Sequence, residues 1–227
     1  MIDNAFRAQL PRFAGPLLTL YTRLGLTPNH VSVLAFGIAL LASGAVLLHW
    51  EWVALGLWWV SRLADGTDGI LARATGQESD FGAYLDILLD MAAYGAMVLA
   101  FSVAAPEFQT RWMAMLFLYI LCISSALALG TQEMKRERPP RDDRGLRLGA
   151  GLAEGGETGI AYSVFLLFPD ALSVTTALWV AILILTVLAR SVLAYRMLED
   201  VLPEGRSSVG VLVDVRHIAP TPIGSTV

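Results

Sequence analysis

Residues 65–90 read DGTDGILARATGQESDFGAYLDILLD, and four aspartates (Asp65, Asp68, Asp86 and Asp90) stand there among apolar, helix-forming residues. The intervals are three and four residues, so Asp65 and Asp68 share one helix face, as do Asp86 and Asp90. A carboxylate at membrane depth is costly and needs a cation or a functional partner. Two facing helices that each carry a pair of inward carboxylates can hold one or two hard divalent ions.

The rest of the chain sets the membrane context. Of 227 residues, 56% are hydrophobic and 16% charged, and the mean hydropathy is +0.60. That is the composition of an integral membrane protein. Residues 31–48, 112–132 and 171–189 are clean enough to span alone, a span needing ~20 apolar residues. Residues 52–73, 82–105 and 151–168 are apolar but carry charges. The expected fold is therefore an all-α integral membrane protein with six transmembrane helices between about residues 31 and 200. Residues 1–28 mix apolar side chains with Arg7, Arg12 and Arg23 around Pro11 and Pro16. They read as an interfacial amphipathic segment rather than a signal peptide. The membrane domain is expected over residues 1–202, with 203–227 a polar, flexible tail.

Charge orients the bundle. Of sixteen Lys and Arg residues, only Arg111 falls on the side of the turns at residues 49–51, 106–111 and 169–170. Both termini are thus expected in the cytoplasm, with Trp50, Trp52 and Trp112 in an outer aromatic belt. In this orientation Arg62, Asp65, Asp68 and Arg73 occupy the inner half of the second span. Asp86 and Asp90 occupy the inner half of the third, and Glu154 and Glu157 come early in the fifth. All the intramembrane acids share one depth, as one polar cavity open to the cytoplasm requires. The single cysteine, Cys122, excludes a disulfide framework within the chain. The basic residues between 135 and 147 form a short positive-inside loop, so nucleic acid is not an expected partner.

The pattern D-x2-D-G-x2-A-R-x8-G-x3-D-x3-D is met at every position by Asp65, Asp68, Gly69, Ala72, Arg73, Gly82, Asp86 and Asp90. It resembles the signature of the CDP-alcohol phosphotransferase family. Leu26-Thr27-Pro28-Asn29 is similar to the family's entry into its first span, and the resemblance covers most of residues 1–200. It implies a donor that is CDP-diacylglycerol or another CDP-alcohol, a small alcohol acceptor, CMP as product, and a homodimer in the bilayer. The residues suit that chemistry. Mg²⁺ or Mn²⁺, expected as two ions on Asp65, Asp68, Asp86 and Asp90, would neutralise a diphosphate and align an in-line displacement. Asp90, the deepest of the four, is the expected general base, with Asp86 the other catalytic aspartate.

Small residues complete the expected CDP site. Gly66, Gly69 and Ala72 recur at three-residue steps and clear one face of the second span for a flat base and its ribose. Arg73 can hold the diphosphate bidentately. Gly82 is expected to let the chain turn into the third span, Asp80 to cap that helix, and Asn29 to join the CDP site. For the acceptor the residues point two ways. Arg62, Lys135, Arg138 and Arg190 would suit a phosphate, whereas Glu154 and Glu157 would suit a polyol or an amine. Three other classes fit less well. A cation transporter needs acids across the whole membrane depth, and the outer halves of the spans carry none. A non-catalytic relative would have lost a motif position. A histidine-dependent phosphatase would need more than His30, His49 and His217.

Overall fold

The computed structural model describes residues 14–135 and 155–199. Among the described residues it is helical throughout, with no strand. A first helix, α1, covers residues 14–23 of the described chain. It is followed by α2 (Pro28–Leu47), α3 (Glu51–Thr75), α4 (Asp80–Ala104), α5 (Gln109–Lys135), α6 (Gly155–Leu167) and α7 (Leu172–Glu199). The last six are helices over the six stretches read as apolar in the sequence, in order. Four of them, α2, α4, α5 and α7, are long and apolar enough to cross a membrane. Helix α3 carries the motif's charges, and α6 is described for only 13 residues. Helix α4 qualifies on composition despite Asp86 and Asp90, because the residues after Asp90 carry no charge.

Local chemistry marks the helix ends. Thr27 caps α2: its side chain accepts from the His30 backbone N–H, while His30 Nδ1 accepts from the Thr27 N–H, and Pro28 stands at the first helical position. This is a capping box with a histidine in the usual glutamate place. Helix α3 ends at Gly76, whose φ of 64° lies in the left-handed region that glycine adopts without strain. The Gln77 N–H returns to the Ala72 carbonyl at 2.9 Å. Only residues 76–79 then separate α3 from α4. Ser79, rather than the expected Asp80, caps α4 by accepting the Gly82 N–H at 3.0 Å. Asp80 is instead the first helical residue, where its charge faces the helix N-terminus.

Helix α2 packs along α3 and α4, α5 along α7, and α6 touches both α3 and α7. The close face of α2 is built from Ala35, Ala39 and Ala42, all fully buried, and small residues of this kind let membrane helices approach closely. Ser61 of α3 fixes that contact by donating to the Ala35 carbonyl at 2.8 Å. On the other flank Trp59 Nε1 donates to Ser163 of α6 at 2.9 Å. Aromatic rings fill part of the core, with Phe101 stacked on Trp112 at 5.5 Å and Phe165 edge-on to both.

Trp112 therefore belongs to this core and not to an aromatic belt. It is 0% exposed and donates through Nε1 to the Ala105 carbonyl at 2.9 Å. Trp50 and Trp52 do stay exposed. The backbone carbonyl at the end of α4 is what draws the Trp112 indole inward. Trp112→Ala is accordingly expected to cost about 3–5 kcal/mol, and Trp52→Ala no more than about 0.5 kcal/mol. Thermal unfolding of the two variants in detergent checks this difference.

Candidate active site

Helices α3 and α4, joined by a four-residue link and both packed on α2, bring their aspartates to one site. One carboxylate oxygen from each of Asp65, Asp68 and Asp86 lies within 4.8 Å of the others. Hard divalent ions take oxygen ligands at such spacings, so this trio fits Mg²⁺ or Mn²⁺ by donor type and by convergence. The Ser32 hydroxyl of α2 donates to Asp68, and Ser32 is itself buried. That bond orients the Asp68 carboxylate from the neighbouring helix, as partners of ligating groups commonly do.

Asp90 is paired with Arg62, one turn before Asp65 on α3. The same guanidinium nitrogen lies 3.5 Å from Asp65 Oδ2 and 3.4 Å from the Tyr94 hydroxyl, and Nη2 donates to Ser61 at 3.2 Å. Its carbon sits 4.7 Å from the Trp58 ring centre and 5.2 Å from that of Tyr94. Arg62 is only 8% exposed, so it is committed to the carboxylates rather than to an acceptor phosphate. Three of the four aspartates expected to hold metal converge, and Asp90 borders the same cavity with Arg62 as its partner.

The four aspartates line one cavity of about 330 Å³. Its walls include Asn29, Ser32, Asp65, Gly66, Asp68, Gly69, Ala72, Arg73, Gly82, Asp86 and Asp90. Every residue of the expected CDP set and all four aspartates therefore border a single space. Gly82 earns its place differently from the expectation. The turn is made by Gly76, and a Cβ on Gly82 would come within 3.1 Å of both Asn29 Oδ1 and Ser79 Oγ. Glycine is needed there so that Asn29 can approach the start of α4. A Cβ on Gly69, by contrast, would meet nothing closer than Arg73 at 3.6 Å, so this glycine guards cavity space and no backbone contact.

The far end of the cavity is lined by Tyr94, Tyr119, Cys122, Thr158 and Arg190. Arg190 of α7 is 2% exposed and donates to the Cys122 carbonyl and to Ser125 Oγ on α5. The Tyr119 hydroxyl is held by Tyr162 at 3.1 Å and by Trp179 Nε1 at 2.9 Å. Glu157 is half-buried in the first turn of α6 and is not among the lining residues, though its neighbour Thr158 is. Lys135 ends α5, and Arg138 and Glu154 lie outside the described residues. Two lining residues had a signal in the sequence. Tyr94 follows Asp86 and Asp90 at the same four-residue step, and Ser32 is a polar residue one turn after Pro28 in an otherwise apolar helix.

Comparisons with known proteins agree with this geometry. The family model described as CDP-alcohol phosphatidyltransferase matches residues 25–202. A model for a fluoroacetyl-CoA-specific thioesterase matches residues 185–227, a stretch that begins inside α7 and spans too little of the chain to assign a family. The chain is 31% identical over 174 residues to the inner membrane protein YnjF of Escherichia coli, covering 74% of this chain and 83% of that protein. It is 28% identical over 195 residues to the phosphatidylinositol phosphate synthase of Mycobacteroides abscessus, covering 84% of each. The fold resembles the crystal structure of the Mycobacterium tuberculosis phosphatidylinositol phosphate synthase with CDP-DAG bound, with a TM-score of 0.59 and 22% identity over 81% of this chain and 94% of that one. The same mycobacterial enzyme solved with manganese and citrate gives a TM-score of 0.55 at 20% identity, covering 79% of this chain and 88% of that one.

Removing the Ser32 hydroxyl should loosen Asp68 without opening the bundle. Ser32→Ala is expected to weaken Mn²⁺ binding about tenfold. Titration of the purified variant with Mn²⁺, beside the parent protein, measures it.

Proposed function

Because the chain belongs to the CDP-alcohol phosphatidyltransferase family, we propose that it makes a phosphodiester lipid by transferring the phosphatidyl group of CDP-diacylglycerol to an alcohol. The observation that carries this reading is the convergence of Asp65, Asp68 and Asp86 in a cavity bordered by Gly66, Gly69, Ala72 and Arg73. Acids alone would suit any divalent cation. Acids beside a glycine-cleared helix face and an arginine suit a metal-bound nucleoside diphosphate.

Asp65, Asp68 and Asp86 would hold Mg²⁺ or Mn²⁺, which would supply positive charge to neutralise the diphosphate and make CMP a better leaving group. Gly66, Gly69 and Ala72 leave room for the nucleotide along α3, and Gly82 lets Asn29 reach it. Arg73 binds a diphosphate oxygen. Asp90 takes the proton from the acceptor hydroxyl. The freed oxygen forms a bond to the phosphorus on the lipid side, the bond from that phosphorus to the CMP oxygen breaks, and CMP departs. The acyl chains stay in the leaflet throughout, which is why such a site belongs inside a membrane protein.

Arg190 favours an acceptor that carries a phosphate. It is the buried guanidinium at the cavity's far end, beside the Tyr119 and Thr158 hydroxyls. Two relatives named for phosphatidylinositol phosphate synthesis point the same way. The reading also includes six spans, cytoplasmic termini, a cavity open to the cytoplasm and a homodimer. The inner-half placement of the charges supports the first three, and the family resemblance supports the dimer.

The direct test is CMP release from CDP-diacylglycerol with Mg²⁺ or Mn²⁺ across glycerol 3-phosphate, inositol phosphate, inositol, serine and choline. Release with one phosphorylated acceptor is expected. Release only with an unphosphorylated one would move the acceptor site away from Arg190. Asp86→Asn should cut the rate about a thousandfold or more, and full activity in that variant would sink the reading. Gly69→Leu should fold normally yet weaken CDP binding at least about tenfold by filling the slot, as a binding isotherm with CDP would record.

A further inference from the structure

The far end of the cavity holds a polar cluster on helices that carry none of the eight motif positions. Tyr119 of α5, Thr158 of α6 and Arg190 of α7 all border it. Resting on the function proposed above, we propose that Tyr119 is a specificity-determining residue. Its hydroxyl makes the Arg190 end of the cavity a hydrogen-bond donor to the phosphate of the acceptor alcohol.

Three observations carry this. The first is position. Tyr119, Cys122, Ile123 and Ala126 line the cavity, and steps of three and four residues put them on one face of α5. Arg190 donates to the carbonyl of Cys122, three residues past Tyr119, and to Ser125 Oγ at 3.3 Å. Two bonds to one helix fix where that positive charge sits.

The second is the direction of the hydrogen bonds. An indole N–H can only donate, and Trp179 donates to Tyr119 Oη at 2.9 Å. Tyr162 donates to the same oxygen at 3.1 Å, its proton shared with the Tyr94 carbonyl at 3.0 Å. Both lone pairs of Tyr119 are thus filled from the protein side, and its own proton is what it offers the cavity. The Thr158 hydroxyl adjoins it. A proton given to Thr158 is passed on, since a threonine oxygen that accepts still has its own proton to donate.

The third is the match of that polarity to charge. Arg190 also only donates, so the guanidinium and the hydroxyl ask for the same partner. Lone pairs of a phosphate satisfy both, whereas an ammonium group, which only donates, satisfies neither. Glu157 does not border the cavity to receive one. Thr158 and Arg190 are 3% and 2% exposed, and in so dry a place a bond to an ionised group is stronger than in water.

Steady-state kinetics on the intact, detergent-purified protein with Mg²⁺ and CDP-diacylglycerol test this, using glycerol 3-phosphate or inositol phosphate, whichever the parent protein turns over. Tyr119→Phe should raise the acceptor KM about tenfold, the scale of losing one hydrogen bond to a charged group. The KM for CDP-diacylglycerol should stay within about twofold, because the nucleotide lies at the other end of the cavity. Inorganic phosphate should compete with the acceptor, and its inhibition constant should also rise about tenfold in the variant.

Tyr119→Phe also orphans the Trp179 N–H, and a second variant separates that effect. Y119F/W179F removes both partners together, which leaves no unsatisfied donor behind. The double variant should keep the raised acceptor KM. Trp179→Phe alone keeps the Tyr119 proton and should raise the KM no more than about threefold. A merely structural Tyr119 would give the reverse, with recovery in the double variant and an equal loss in Trp179→Phe, and that result would overturn the proposal. So would a raised acceptor KM with an unchanged inhibition constant for phosphate, which would put the hydroxyl on another oxygen of the acceptor. The double variant decides the matter even if Tyr119→Phe fails to fold. CMP release with an unphosphorylated acceptor alone would overturn the phosphate assignment and leave the transferase reading intact. If the parent protein releases no CMP at all, the transferase reading falls, and binding isotherms of inorganic phosphate decide the anion site. Binding about tenfold weaker in Y119F/W179F than in the parent would uphold it, and equal binding would overturn it.

Discussion

Carboxylates buried at membrane depth must be balanced, and most of this structure follows from how that balance is struck. Four aspartates in a bundle of apolar helices would repel one another and lose hydration at great cost. The chain answers in two ways. It pairs one of them, Asp90, with the buried guanidinium of Arg62, and it gathers the other three where a divalent ion fits. The cavity, the small residues beside it and the tight helix link all serve to keep that cluster both compact and reachable.

The link of residues 76–79 shows how geometry is passed from backbone to chemistry. A left-handed glycine ends α3 and Ser79 starts α4 three residues later, and both helices then pack along α2 rather than along each other. The pair spaced by three on α3 then meets the pair spaced by four on α4. With a longer loop the same motif would leave the relative height of the two helices free. Close packing of α2 against both, through Ala35, Ala39 and Ala42, sets the third wall. It also delivers Ser32 to Asp68 and Asn29 to Gly82.

Much of this was legible from spacing. The helix faces of the four aspartates, the glycine step on α3, the helix order and the turn positions follow from periods of three and four and from turn residues. What escaped was of one kind: contacts between residues far apart in sequence or competition between close neighbours. Periodicity says that Arg62 faces the aspartates but not that it chooses Asp90, 28 residues away, over Asp65, three away. Composition places Trp112 near an interface, but a free carbonyl at Ala105 turns it inward. Asp80 and Ser79 are both good caps, and only backbone geometry decides for the serine. Gly82 was recognised as necessary for the wrong reason, because the residue it must admit, Asn29, lies on another helix.

The uneven treatment of the four aspartates also bears on why the motif tolerates an arginine beside it. An isolated guanidinium in this cavity would repel the metal that the trio needs, and an isolated Asp90 would add a fourth negative charge to it. Introduced together, their opposite charges offset one another beside Asp65. The rings of Trp58 and Tyr94 supply the electron-rich faces that make a buried arginine affordable. Tyr94 in turn lies against Trp58 and Tyr162, so the cation that pairs with Asp90 is braced by the aromatic core of the bundle. Stability of that core and placement of the Asp90 carboxylate are therefore one problem in this fold, solved by the same few side chains.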